Sequence, residues 1–400
     1  MSDAVWILGA HMTRFSRYPH LDTIDLAAEA AFGALDDAGV TMADIAVLAT
    51  GTMYEASGGI AQRLLKQVGQ TGVPAYNVAN ACATGASAVR IAHTHIKAGE
   101  AELALAVGVE QMGKVGLLGG DRMARNDAER FEPSGRDGAV VGIEGRLGTL
   151  MMPGTFAQAG TDYAHRHGVS REQFAMVAEK NHAHSALNPL SQYRTVFSLD
   201  EILAAEMIAY PNTKPMCCPT SDGAAAVVLV SDARLQRMSL EQRRRAVKIS
   251  ASVLTTDPWT ESAPVAHDIN TLTRRAADQA YEAAGIGPSD LDLVELHDCF
   301  ATAEVVHYDN LRLCEEGGAA DFIEKRAGWR DGPTPVNVSG GLLSKGHPVG
   351  ATGVANLYEV ATHLRGEAGD RQIPDAKVGL AHVIGIGSTC GVHILERSGR

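Results

Sequence analysis

Apolar and polar positions along the chain follow two periods. Short continuous apolar runs at Ala4–Leu8, Leu103–Val109, Ala225–Ser231, Leu291–Leu296 and Ser388–Leu395 predict strands. Helical patterns cover Ala88–Lys97, Phe156–His167, Arg171–Ala186, Leu199–Met207 and Ala301–Leu313. One stretch is written twice. Leu26–Leu48 runs through a helical pattern, Ala38-Gly39-Val40, Asp44-Ile45 and an apolar strand. Arg274–Val294 repeats that order without a gap, through Ala284-Gly285-Ile286 and Asp290-Leu291. Gly39 and Gly285 fit helix C-caps. Ala83-Thr84-Gly85 and Ala351-Thr352-Gly353 form a second echo, each opening a helix. The chain therefore predicts two similar α/β halves, each with a buried sheet. The stretch from Lys114 to about Pro215 lacks strong strand signals and is punctuated by Gly119-Gly120, Pro133-Ser134-Gly135 and Met152-Pro153-Gly154. An insertion of that length inside a compact domain points to a functional role. The division expected is residues 1–115 plus 216–245 for the first half, 116–215 for the insertion and 246–400 for the second half.

Composition narrows the classes. With 400 residues, 45% of them hydrophobic, the chain can fill the cores of both halves. A formal net charge of −12 argues against a nucleic-acid binder or an anionic-membrane binder. It leaves room for an anionic small molecule at a local basic patch, with Lys180, His182, His184 and Arg194 as candidates. The six cysteines (82, 217, 218, 299, 314 and 390) show neither metal-ligand spacing nor a disulfide framework. No metal site is expected, and a reducing compartment is. The first residues read as a strand and not as a signal peptide, no run reaches membrane-spanning length, and Arg397-Ser398-Gly399-Arg400 is no peroxisomal signal. A cytoplasmic protein is the expectation.

Three segments carry candidate chemistry. In Asn77-Val78-Ala79-Asn80-Ala81-Cys82-Ala83-Thr84-Gly85-Ala86-Ser87, a cysteine stands where a strand passes into a helix. The positive end of the helix dipole there is expected to lower its pKa, and small neighbours admit a bulky acyl group. In Ser344-Lys345-Gly346-His347-Pro348-Val349-Gly350, a rigid glycine-proline loop presents one imidazole, which could take the proton of Cys82. In Val294-Glu295-Leu296-His297-Asp298-Cys299-Phe300, an apolar strand turns abruptly polar before a helix. That is a favoured place for a site, although Asp298 could simply cap the helix and Cys299 fill a core.

Together, in their order along the chain, the segments resemble the thiolase superfamily, and His297-Asp298-Cys299-Phe300 is similar to the tetrapeptide that marks its sterol-carrier-protein-2 type. The resemblance covers essentially the whole chain. Lys180-Asn181-His182-Ala183-His184-Ser185 and Cys217-Cys218-Pro219-Thr220-Ser221-Asp222-Gly223 add to it. It implies an α/β thiolase fold, five-layered αβαβα, with a loop domain that covers the active site and contacts coenzyme A. It implies an acyltransferase that cleaves 3-oxoacyl-CoA with CoA, or runs the reverse condensation, through an acyl group on Cys82. No permanently bound cofactor is implied, with coenzyme A as co-substrate. His347 would activate Cys82 and His297 would support the enolate oxygen. Backbone N–H groups of Cys82 and of Gly385-Ile386-Gly387 would hold the other oxyanion. Ile384 stands where ordinary thiolases carry a second cysteine, so Cys299 is assigned the α-carbon proton, with Cys390 as runner-up. The resemblance also implies a homodimer or homotetramer, with the Leu103–Val109 strand at a sheet edge pairing across the two-fold axis. A retro-aldolase, a decarboxylating ketosynthase and a lipid carrier or scaffold of the same fold are the competing readings.

Overall fold

The computed structural model describes residues 4–115, 144, 146–258, 269–386 and 388–399. Its framework is one hydrogen-bonded sheet of nine strands. In chain order the strands are β1 (Val5–Met12), β2 (Val47–Gly51), β3 (Ala75–Val78), β4 (Leu103–Gln111), the short hairpin β5 (Met207–Ala209) and β6 (Asn212–Thr213), then β7 (Asp222–Ser231), β8 (Val247–Thr255), β9 (Leu293–Glu295), β10 (Val378–Gly385) and β11 (Thr389–Arg397). The order across the sheet is β3-β2-β4-β7-β1-β8-β11-β10-β9, with the hairpin apart. That hairpin lies inside the insertion and had no sequence signal, because strands of three and two residues are too short for a period.

The halves repeat in space as they do in sequence. β2 and β4 run parallel, and β4–β7 and β7–β1 antiparallel. β9–β10, β10–β11 and β11–β8 reproduce that pattern. The helix Thr23–Ala38, its left-handed cap Gly39 and β2 recur as Ile269–Ala284, Gly285 and β9. Each pair is separated by the same 246 positions (23 to 269, 39 to 285, 47 to 293). The half-sheets join where Val5, Trp6 and Ile7 pair with Ile249, Lys248 and Val247.

Layering follows from which faces are apolar. Thr23–Ala38 covers the outer face of the first half-sheet, and Ile269–Ala284 covers that of the second. Between them lie Thr84–Lys97 and Thr352–Arg365, each packed against strands of both halves. Helix, half-sheet, helix pair, half-sheet and helix make the five layers. The two central helices touch backbone to backbone. A Cβ on Gly353 would strike the main chain of Ala86, and one on Gly85 would lie 2.8 Å from the Gly350 carbonyl. These two glycines, the echoed pair of the sequence, bring the two helix starts together.

One expectation is corrected. Leu103–Val109 lies in β4, an interior strand between β2 and β7, with every residue buried. Its unbroken apolar run is what a strand covered on both faces requires. Among the described residues the uncovered edge is β3, where Tyr76 is 38% exposed. At the opposite end of the sheet, Val336 bridges to Val294 beside β9. Among the described residues no helix is long and apolar enough to cross a membrane.

Candidate active site

The chain leaves β3 at Val78, and Ala81 takes a left-handed conformation at φ 48°. That conformation costs a non-glycine residue of order 1 kcal/mol or more. The turn is held by the Thr84 hydroxyl, which accepts the Asn80 N–H at 2.7 Å and donates to the Ala81 carbonyl at 2.6 Å. Cys82 follows, one residue before the Ala83 cap of Thr84–Lys97. Gly385, at the end of β10, presses on this turn. A Cβ there would lie 2.7 Å from the Asn80 carbonyl and 3.2 Å from the Ala83 nitrogen. The rest of the expected glycine loop includes Gly387, which lies outside the described residues.

His347 is fixed at two points. Its backbone N–H donates to the Ser221 hydroxyl at 3.0 Å, and its Nδ1 lies 2.7 Å from the Thr352 hydroxyl. Thr352 in turn donates to the Pro348 carbonyl at 2.9 Å. With that proton spent, Nδ1–H donates to Thr352 and Nε2 carries the lone pair. Nε2 is buried and has no hydrogen-bond partner among the described residues. Ser221 and Thr352 are positioning groups that the sequence reading did not single out, although both lie inside quoted segments.

The third segment crosses to the same place. His297 sits just beyond β9, and its ring packs edge-on to His347 with centroids 5.2 Å apart. Its backbone N–H donates to Nδ1 of His382 at 3.3 Å. Two buried carboxylates flank it and reach toward the His347 loop. Glu295 accepts from the Ser339 N–H at 3.0 Å and the Ser339 hydroxyl at 2.5 Å, and it faces Lys345 at 3.5 Å. Asp298 accepts from the N–H groups of Leu342 at 2.7 Å and Leu343 at 3.3 Å, and from Asn181 at 2.8 Å. Asp298 thus caps the short helix Gly341–Ser344 that leads into His347, and not the helix Ala301–Asn310 that follows it in sequence. These carboxylates tie the turn bearing His297 and Cys299 to the loop bearing His347.

The result is one compact centre. The Sγ of Cys82 and a ring nitrogen from each of His297 and His347 lie within 4.8 Å of one another, and all three residues are buried. Cys299 is 2% exposed, its carbonyl accepts from the Cys218 N–H at 2.9 Å, and its thiol lies close enough to those of Cys218 and Cys82 that ionising either would disfavour its own thiolate. Cys390 is elsewhere. It lies in β11 opposite Ile384 and Thr255, with Thr273 and Asp257 as its polar neighbours. Met152, from the helix Met151–His167 of the insertion, packs against the cluster around Cys82, and Phe156 stands 6.2 Å from His297.

Electrostatics reverse one expectation. Burial, aided by the charge of Glu110, pushes the Cys82 thiol up to about 12. Desolvation outweighs the helix end, because the thiol is buried. Burial also drives His347 down to about 3. Both shifts favour the uncharged forms, a thiol beside a neutral imidazole. Burial likewise pushes the Cys299 thiol well up, which keeps its proton available. Glu110, which accepts from Thr52, Met53 and Tyr54, is itself pushed by burial up to about 7.

The expected basic patch is not a surface. Lys180 is 2% exposed, bonded to Glu304 at 2.8 Å, the Val336 carbonyl at 2.8 Å and Asn181 at 2.6 Å. His182 is buried between the Pro215 carbonyl and the Ser344 hydroxyl, and His184 between the Asn337 carbonyl and the Arg330 N–H. These side chains are internal struts, since a buried cation must be paired. Arg194 alone is exposed, and it donates to the Ala186 carbonyl at 2.9 Å.

The comparisons with known proteins agree with this geometry. The family profile "Thiolase, N-terminal domain" matches residues 5–203, and "Thiolase C-terminal domain-like" matches residues 259–397. The chain is 38% identical over 402 residues to sterol carrier protein 2 of Bos taurus, covering 99% of this chain and 73% of that one. It is 33% identical to an acetyl-CoA acetyltransferase of Methanothermobacter thermautotrophicus, covering 98% of this chain and 99% of that one. Among solved structures, an Ltp2-ChsH2(DUF35) aldolase superposes with a TM-score of 0.81 at 23% identity, covering 100% of this chain and 99% of that one. With both halves matched in order and full-length relatives above 30% identity, the chain belongs to the thiolase family, in its sterol-carrier-protein-2 type.

Proposed function

We propose that this chain is a thiolase-type acyltransferase that cleaves 3-oxoacyl-CoA with CoA, or forms it in reverse, through an acyl group carried by Cys82. The observation that carries the reading is the convergence of Cys82, His297 and His347 within 4.8 Å, with Nε2 of His347 unpartnered. The name of the acetyl-CoA acetyltransferase relative supports the substrate class.

The steps follow from these groups. As the Cys82 sulfur attacks the 3-keto carbon, Nε2 of His347 takes its proton. The bond between C2 and C3 breaks, and its electron pair leaves as the enolate of the shorter acyl-CoA. His297 and protonated His347 face the enolate oxygen, and the Cys299 thiol gives C2 its proton. The thiol of a second CoA then passes its proton to the Cys299 thiolate and attacks the acyl carbon. Cys82 departs and recovers its proton from His347. Dividing one hard cleavage into two displacements is the advantage of a covalent intermediate.

A second reading is a retro-aldol cleavage, favoured by the fold likeness to a structure titled an aldolase. It needs no thiol. The stoichiometry of cleavage separates the two: thiolysis consumes one CoA thiol for every carbon–carbon bond broken, and a retro-aldol reaction consumes none. Titrating free thiol during turnover of acetoacetyl-CoA, long straight-chain, 2-methyl-branched and steroid-side-chain 3-oxoacyl-CoAs, and of the corresponding 3-hydroxyacyl-CoAs that a retro-aldol cleavage requires, tests this. Cleavage without thiol loss would sink the thiolase reading.

A further inference from the structure

We propose that Cys82, His297 and His347 also form a binding site for a soft divalent cation, zinc foremost, which closes the reaction centre when filled. The sequence hides such a site, because its ligands are 82, 297 and 347 along the chain and share no spacing motif. The fold assembles them: one sulfur and two imidazole nitrogens, mutually within 4.8 Å. Zinc bonds of about 2.3 Å to sulfur and about 2.0–2.1 Å to nitrogen place tetrahedral ligand atoms roughly 3.3–3.6 Å apart. Side-chain rotations of about 1 Å close that difference.

Two further observations point to a ligand. Nε2 of His347 and Nδ1 of His297 are buried ring nitrogens without a hydrogen-bond partner among the described residues. A buried polar atom left that way costs about 1–3 kcal/mol, so Nε2 of His347, the nitrogen that its bond to Thr352 leaves as a lone pair, favours something that binds it. The other nitrogen of His347 is already tied to Thr352, whose own proton goes to Pro348. That is the outer support a metal-bound imidazole ordinarily has, and it leaves Nε2 as the donor. Three protein ligands leave a fourth position for water. Thiolate and imidazole select zinc or its soft neighbours over magnesium and calcium, which require oxygen. Binding is balanced by loss of the thiol proton: Cys82 S–H and the cation give the Cys82 thiolate–metal bond and one proton.

This inference rests on the arrangement of ligands and not on acyl transfer. The test therefore uses the full chain without substrate. Cobalt(II) is titrated first, followed by absorption, and then displaced with zinc. The expected result is one ion per chain with a near-ultraviolet thiolate-to-cobalt band, lost on adding zinc. Cys82→Ala should abolish the band and weaken zinc binding at least about 100-fold, and Thr352→Val should weaken it about 10-fold or more. Should Cys82→Ala fold poorly, the wild-type chain alkylated at Cys82 replaces it. Absence of the sulfur band, or equal binding by the unmodified and Cys82-blocked proteins, overturns the proposal. An active thiolase that binds no cobalt refutes this inference alone, and a chain that binds cobalt but never acylates refutes the proposed function alone.

Discussion

The hydroxyl of Thr352 lies 2.7 Å from Nδ1 of His347 and hands its own proton to the Pro348 carbonyl. A single hydroxyl thereby fixes which nitrogen of the imidazole keeps its lone pair, the nitrogen proposed as the base. Thr352→Val removes that support but keeps the shape of the side chain. Losing one such hydrogen bond, at about 1–1.5 kcal/mol, should slow Cys82 acylation about tenfold in single-turnover kinetics. An unchanged acylation rate would mean that His347 is oriented by packing alone.

Cys299→Ala should reduce deuterium exchange into the α-carbon of acetyl-CoA by about 100-fold or more, the usual scale of a lost general acid–base. Cys390→Ala should leave the exchange near wild type, because Cys390 is flanked by Thr273 and Asp257 and not by Cys82. Exchange lost in Cys390→Ala and kept in Cys299→Ala would reverse the assignment.

Acid should destabilise the fold before carboxylates titrate. Burial holds His307 and His347 down at about 3 and His363 at about 4, against 6.5 when unfolded. Their folded pKa values are depressed, so the unfolded chain binds more protons between those values and 6.5, and stability falls as pH drops through that window. At pH 5 each contributes a loss of about 2 kcal/mol. Glu110, raised to about 7, acts in the opposite sense: its contribution is present at low pH and fades as pH rises toward and through 7. The urea midpoint should fall from pH 7 to pH 5, and His307→Leu should flatten that fall. His307 is the chosen probe because both of its ring nitrogens lack partners. A pH-independent midpoint would contradict the buried neutral state.

The exposed edge at β3 predicts self-association. Among the described residues no strand pairs with its outer side, whereas the β9 end receives Val336. An open strand edge is commonly closed by a second copy about a two-fold axis. Sedimentation equilibrium at micromolar concentration should give at least twice the 42.2 kDa chain mass, with Tyr76→Lys shifting it downward. An active particle at the chain mass would rule this out.

Much of the site was legible because its residues cluster in three short segments whose residue types are rare together: Cys82, His347, and His297 with Cys299. The repeat was legible because helix, cap and strand recur at a constant offset. What escaped was burial. Lys180, His182 and His184 read as surface groups because nothing near them in sequence reveals Glu304, Asn337 or Ser344, which pair with them across the fold. The same blindness made the helix end seem to acidify Cys82, when burial pushes its thiol up. The edge strand was misplaced although the signs were present. Leu103–Val109 is apolar throughout and belongs inside, whereas Tyr76-Asn77 breaks the apolar run of β3 and belongs at the border.

The central claim is that an acyl group passes through Cys82, and it is tested most directly by mixing the enzyme with one equivalent of a 3-oxoacyl-CoA in the absence of free CoA. The account predicts a rapid burst of acetyl-CoA (propionyl-CoA from a 2-methyl-branched substrate), about one per site, and the mass of the remaining acyl group on the peptide containing Cys82, absent in Cys82→Ala and discharged by added CoA. Cleavage that leaves Cys82 unmodified, or that persists in Cys82→Ala, would contradict it.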